Sequence, residues 1–295
     1  MFLSPVRSSV LSPVLSPVLS PVLSSDGRRD ATRTLTGTLS GRLTGALSIA
    51  LTAILSTALG ATVIASLAMP AAAQAGERVV GSGRTASEPR SAGDFEAISL
   101  EGSIDITVRQ GAATSVTATA DDNLLPLLET RVETGASGAR LVVRWKPGTS
   151  LSTRGKAHVL VVTPRLVALA SSGSGDARIE SFSTPSLKVA LSGSGDAALP
   201  GLKTEALRIA ISGSGDVKAD GAAALLNISI AGSGDVMARE LRADEVSVSI
   251  AGSGDVAVHA QKKLAVSIAG SGDVVYSGDA EVSRSVAGSG TVKRR

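Results

Sequence analysis

The chain has 295 residues, enough for one or two domains, with 2 % aromatics, no cysteine, and a 43 % hydrophobic fraction that is almost all Ala, Val, Leu and Ile. No cysteine means no disulfide framework and no thiolate metal site, and a core of small and β-branched side chains suits strands better than helices. The net charge of +3 sits in residues 1–75, where Arg7, Arg28, Arg29, Arg33 and Arg42 outnumber Asp26 and Asp30; the remainder balances, so it lacks the clustered Lys/Arg excess of a nucleic-acid interface.

Residues 1–41 form a low-complexity leader. In SPVLSPVLSPVLS proline recurs every fourth residue, which sustains neither a helix nor a central strand, so a disordered leader is expected. Residues 42–75 read as a signal peptide: Arg42, an apolar run from Leu43 to Met69, then small residues at Ala-x-Ala spacing. Cleavage is expected between Ala75 and Gly76, with Ala73 as the alternative site. An uncleaved membrane anchor is the rival, because the apolar run is long enough to span a bilayer. Under both readings the folded part is exported, to the periplasm or the cell surface, and the membrane is met only through this segment.

Residues 76–93 make an N-terminal segment. Within it VVGSGRTA matches the dinucleotide pattern G-x-G-x-x-A, but Pro89 and the lack of helical period remove the helix that would hold a pyrophosphate. From residue 94 the pattern alternates through Ile98 and Leu100, then Ile104, Ile106 and Val108. Further strands follow at SVTATA and ARLVVRW, and Asp121-Asp122-Asn123 could start one helical turn.

Gly-Ser-Gly-Asp then occurs at 173–176, 193–196, 213–216, 232–235, 252–255 and 270–273, and a degenerate Gly-Ser-Gly-Thr closes the series at 288–291. Upstream of each copy the apolar residues fall on every second position: Leu187, Val189 and Leu191 match Leu207, Ile209 and Ile211, and so on to Leu264, Val266 and Ile268. This is a strand with one face buried. Each repeat reads as a short strand, a tight bend, a second short strand and a variable polar loop. A short strand cannot bury its face alone, but repeats stacked one strand spacing apart share a column of Val, Ile and Leu. Residues 94–295 are therefore read as all-β, a right-handed β-solenoid (β-helix) with 18–20 residues per coil.

A bend that repeats in every coil stacks on itself. The pairs Gly173 and Gly175, Gly193 and Gly195, Gly213 and Gly215, Gly232 and Gly234, Gly252 and Gly254, and Gly270 and Gly272 are read as structural turns, where only glycine takes positive φ or close backbone approach. Asp176, Asp196, Asp216, Asp235, Asp255 and Asp273 should form a row whose mutual repulsion is offset by backbone N–H groups freed by the bend. A calcium row is the alternative, although each coil offers one carboxylate and calcium takes six to eight oxygens. His158 and His259 are about five coils apart, near 24 Å, too far to share a metal or a substrate atom. No catalytic residue and no cofactor are assigned. Asn227-Ile228-Ser229 matches a glycosylation acceptor but lies inside a strand and is read as structural.

Arg90, Phe95, Ile98, Gly102, Ile104-Asp105, Gln110-Gly111, the ADDNLL of 120–125, Leu141 and the Gly-Ser-Gly-Asp series, in this order, resemble the head GIN domain family of autotransporter adhesins over roughly 79–292. The resemblance implies an exported β-helical domain of a bacterial envelope, with adhesion as its role. Nothing after residue 292 would supply a translocator barrel, which needs many amphipathic strands with aromatic girdles. The expectation is a non-catalytic binding or structural module whose partner is an envelope or surface protein or glycan. A carbohydrate-active β-helix enzyme and a periplasmic accessory protein without adhesive role are the rivals.

Overall fold

A computed structural model describes residues 78–135, 138–153 and 155–295. The leader, the signal segment and the expected cleavage between Ala75 and Gly76 lie outside the described residues. Among the described residues no helix is long and apolar enough to cross a membrane.

Gly173, Gly193, Gly213, Gly232, Gly252, Gly270 and Gly288 stand in parallel register, each paired with the next. Seven glycines in one file bound six turns of a β-solenoid. The inward rows are those the alternation marked. Val189, Ile209, Ile228, Val248 and Val266 pair in succession and are buried, as are Leu191, Ile211, Ile230, Ile250 and Ile268. No single strand could bury its face this way; the stack does it for all of them.

The corners differ from the expected polar loops. Ala197–Gly213, Val217–Gly232, Val236–Gly252 and Val256–Gly270 are each one unbroken strand from bend to bend. The segments taken as variable loops carry an inward set of their own, such as Leu199 and Leu202, then Ala238, Leu241 and Ala243, all buried. Backbone pairing therefore continues around the corner. Register shifts between Leu199 and Leu202, Lys218 and Asp220, and Ala238 and Arg242 absorb the variation in coil length as bulges.

Chain order and stack order part company at the N-terminal side. Ala97–Gly102 and Ile104–Gln110 pair in parallel with Ala168–Gly173 and Ala177–Glu180. The chain leaves the stack after Gln110 and rejoins it at Ala168, and the segment between builds a cap on the opposite edge. Gly138–Trp145 runs parallel to Ala97–Gly102 and carries Leu128–Gly135 as an antiparallel hairpin partner. Ala157–Thr163 runs parallel to Ile104–Gln110 and carries Ser115–Asp121, then Thr85–Arg90, both antiparallel. The outermost of these strands contains Pro89, a residue that suits an edge because it has no N–H to offer a neighbour. The helical turn expected after Asp121-Asp122-Asn123 is the 3-10 turn Leu125–Leu127. Asn123 also ties down the N-terminal segment, accepting from the Ser82 N–H at 2.9 Å and donating to the Val80 carbonyl at 2.8 Å.

Candidate functional site

The bend that ends each Gly-file strand is the most repeated structure in the molecule, and its two glycines act differently. The first has positive φ, from +131° to +144° in the seven bends from Gly173 to Gly288. The second does not; its constraint is space. A Cβ on Gly234 would overlap the carbonyl oxygen of Gly215 in the coil before and stand 3.0 Å from Ile211 Cγ2. The same holds at Gly175, Gly195, Gly215, Gly254, Gly272 and Gly290, each against the carbonyl of the preceding coil.

The six aspartates stand in one row, joined at one end by Asp105, which lies outside the Gly-Ser-Gly-Asp copies, and at the other by Thr291 of the degenerate closing copy. The backbone N–H of Asp196 donates to Asp176 Oδ1 at 3.1 Å, Asp216 to Asp196 at 2.9 Å, and Asp235 to Asp216 at 2.9 Å. Asp255 donates to Asp235 at 2.8 Å and Asp273 to Asp255 at 2.9 Å. At one end Asp176 donates to Asp105 at 3.0 Å; at the other, Thr291 gives both its N–H and its hydroxyl to Asp273 Oδ1 at 2.8 Å. Each carboxylate therefore clasps the backbone of the coil after it. Such charge-assisted bonds offset the repulsion between carboxylates spaced about 4.8 Å apart. The Thr291 hydroxyl, followed by its N–H, holds the Asp273 carboxyl below the usual range. Lys156 bridges Asp176 at 3.2 Å and Asp105 at 3.4 Å, and those contacts, the bond to Asp176 first, raise its own pKa.

Asp105 belongs to Gly102-Ser103-Ile104-Asp105, a Gly-Ser-x-Asp phrase that stacks beneath Gly173-Ser174-Gly175-Asp176. Isoleucine is tolerated where later coils have their second glycine because the segment beneath it is the cap strand Ala157–Thr163, not another bend. The phrase is visible in the sequence, but its single glycine hides it from a search for the full motif.

This ladder predicts a separation between two substitutions at its centre. Asn keeps the acceptor for the Asp255 amide and drops the charge, so Asp235→Asn should leave stability unchanged or slightly raised. Asp235→Ala strands that amide and should cost about 1 kcal/mol or more. Chemical denaturation of both variants, with calcium and with EDTA, checks this. A loss of stability in Asp235→Asn, matched by an EDTA effect on the wild type, would instead mean a metal-bearing row.

Beside the ladder, on the outside of the second strand of each coil, runs a shallow furrow. One stretch of about 500 Å³ lies between Asp105 and Lys218, with Thr107, His158 and Arg178 on its far side. The next, about 560 Å³, extends from Lys218 to Asp273 past Met237 and Arg239. His158 shares a 2.9 Å hydrogen bond with Thr107 Oγ1, and His259 one of 2.9 Å with Ser277 Oγ. They are six strand layers apart rather than five, because Ala157–Thr163 lies beyond Ile104–Gln110; that is about 29 Å. Among the described residues no three His, Asp or Glu side chains are grouped as a metal would require. Asn227 points outward from a continuous strand, and VVGSGRTA is followed by the strand Thr85–Arg90, not by a helix.

Residues 94–280 match the family model described as "Putative auto-transporter adhesin, head GIN domain". The chain belongs to this family. The head GIN domain here is similar in structure to a "putative adhesin" of Bacteroides fragilis, at 24 % identity and a TM-score of 0.68 over 74 % of this chain and 100 % of that one. A "putative lipid binding protein" of Parabacteroides distasonis matches at 26 % identity and a TM-score of 0.63, over 74 % and 100 %. A "putative adhesin" of Parabacteroides merdae matches at 26 % identity and a TM-score of 0.54, over 74 % and 99 %. No curated protein sequence matches the chain.

Proposed function

We propose that this head GIN domain is an exported, non-catalytic binding and structural module of the cell envelope, with adhesion to a surface protein or glycan as its role. The observation that carries the reading is the ladder wall. Its Ser and Asp groups recur at every level, and the carboxylates are committed to the backbone of the neighbouring coil, so a partner meets a long periodic surface and not one reactive pocket. Nucleophilic catalysis needs one base beside one nucleophile. The two histidines lie at distant levels, each bonded to a hydroxyl on an adjacent strand. The family description and the neighbours named as adhesins point the same way.

Two measurements on the full chain in a host that exports it test the proposal. Fractionation combined with protease shaving of intact cells should place the domain outside the cytoplasm, with loss to added protease if it stands at the surface. Incubation with a panel of acidic and neutral polysaccharides should give no turnover. Cytoplasmic retention would defeat the export part. Turnover abolished by substituting furrow carboxylates would make the protein a carbohydrate-active enzyme. Export combined with full protection from added protease would favour the periplasmic accessory role over adhesion.

A further inference from the structure

The last coil, residues 281–294, breaks the rules that every earlier coil keeps, and it does so at three independent places. The inward row Leu141, Ile98, Leu169, Val189, Ile209, Ile228, Val248, Val266 is apolar and buried throughout. The residue paired next to Val266 is Arg284, which is exposed and reaches across the coil to the Val292 carbonyl at 3.4 Å. A second inward row runs from Ala238 and Val258, both fully buried, through Tyr276 to Arg294, which pairs with Asp279 at 2.6 Å. The third break is in the ladder, where Thr291 replaces aspartate, so the carboxylate that would clasp a further coil is missing.

From these we infer that coil 281–294 is a built stop, which prevents a second copy of the chain from stacking tail to tail on the open end of the solenoid. The hazard is real in physical terms. Among the described residues strand Glu281–Gly288 pairs on one side only, so it is an edge with N–H and C=O groups to offer, and Val282 and Val286 continue the apolar rows at its surface, Val286 at 41 % exposure. Two such edges could pair about a two-fold axis and bury both core ends. Inward-pointing charge is a way to forbid this: Arg284, whose contact among the described residues is the Val292 carbonyl, would be desolvated between two coils without a carboxylate to meet it, and Arg294 would have to carry its ion pair with Asp279 into the seam. At the other end the antiparallel cap does the same job with a different device.

The test is the full chain carrying Arg284→Val, Arg294→Val and Thr291→Asp together, compared with the wild type by sedimentation across a hundredfold range of concentration. The wild type should not pair through this end: cross-links between copies should not join coil 281–294 to itself. The triple variant should rise toward twice the wild-type mass with concentration, with new cross-links joining the coil to its counterpart. Arg284→Lys with Arg294→Lys keeps the charge and should behave as the wild type. Ser249→Val adds an apolar side chain to the outer wall and controls for general stickiness. If the triple variant loses its β-sheet circular dichroism, Arg284→Val alone takes its place in the comparison. A variant that folds but keeps the wild-type mass at every concentration would overturn the inference. So would equal association of Ser249→Val, or wild-type cross-links through this coil.

Discussion

Alanine at Gly232 or at Gly234 is expected to destabilise the domain by more than about 3 kcal/mol, although each adds one methyl group to an outward bend. At Gly232 the cost has two sources. Its φ is +144°, where an L residue is strained, and the new Cβ would meet the carbonyl oxygen of Gly213. At Gly234 only the second source operates, but nothing can yield: the obstacle is the backbone of Gly215, held at one strand spacing by the hydrogen bonds on either side of the bend. Ser233, between them, is exposed, and Ser233→Ala should change stability by no more than about 0.5 kcal/mol. Urea denaturation of the three variants decides it. A small effect at both glycines would mean that the bends can separate without loss, and the stacked-bend account of the repeat would fail.

Deleting a whole coil should do less harm than deleting half of one. Removing residues 213–231 joins Ser212 to Gly232, and since Gly213 and Gly232 already share one register position, the coils on either side close up with every inward row intact. Stability in such a stack is a sum over coils and their interfaces, so the product should melt cooperatively at a moderately lower temperature. Removing only 213–222 sets Asn227 and Ser229 at the inward positions of Val217 and Ala219 and Ile228 at the outward position of Lys218, because the corner at Ala224 and Leu225 breaks the period-two alternation once within the coil. That product should show no cooperative transition. Circular dichroism melts of the two deletions make the comparison, and equal damage in both would contradict nearest-neighbour stacking.

The stack was legible because its rules are local and repeat. Period-two alternation gives the inward rows, and a six-fold Gly-Ser-Gly-Asp leaves few reasons to exist other than self-stacking. What escaped sequence reading was whatever depended on long-range placement. The corners looked like polar loops because Lys203, Glu205, Arg239 and Glu240 dominate them, while the inward Leu202 and Leu241 are single residues too sparse to show a period. The cap could not be foreseen because nothing in Ala97–Gln110 says that its upper neighbour begins at Ala168. The clue was the phrase Gly102-Ser103-Ile104-Asp105, but with isoleucine in place of the second glycine it reads as an ordinary strand. At the candidate site the row of aspartates followed from spacing alone. Its anchoring at one end by Asp105 and Lys156 did not, since both lie outside the repeated phrase; at the other end the degenerate Thr291 was visible, but not the hold of its hydroxyl on Asp273.

The clasp between successive coils has a direction, and direction matters to a chain that is synthesised from its N-terminus. Each aspartate holds out its acceptor toward residues that come later, and it receives its N–H donor only when the next coil has been laid down. The cap and the first layer are complete by about Glu180, from residues that have all emerged by then. From there every added 18–20 residues finds its apolar rows, its backbone partners and a waiting carboxylate already in place on the layer before. No step waits for later sequence, so folding can advance one coil at a time in the order of synthesis.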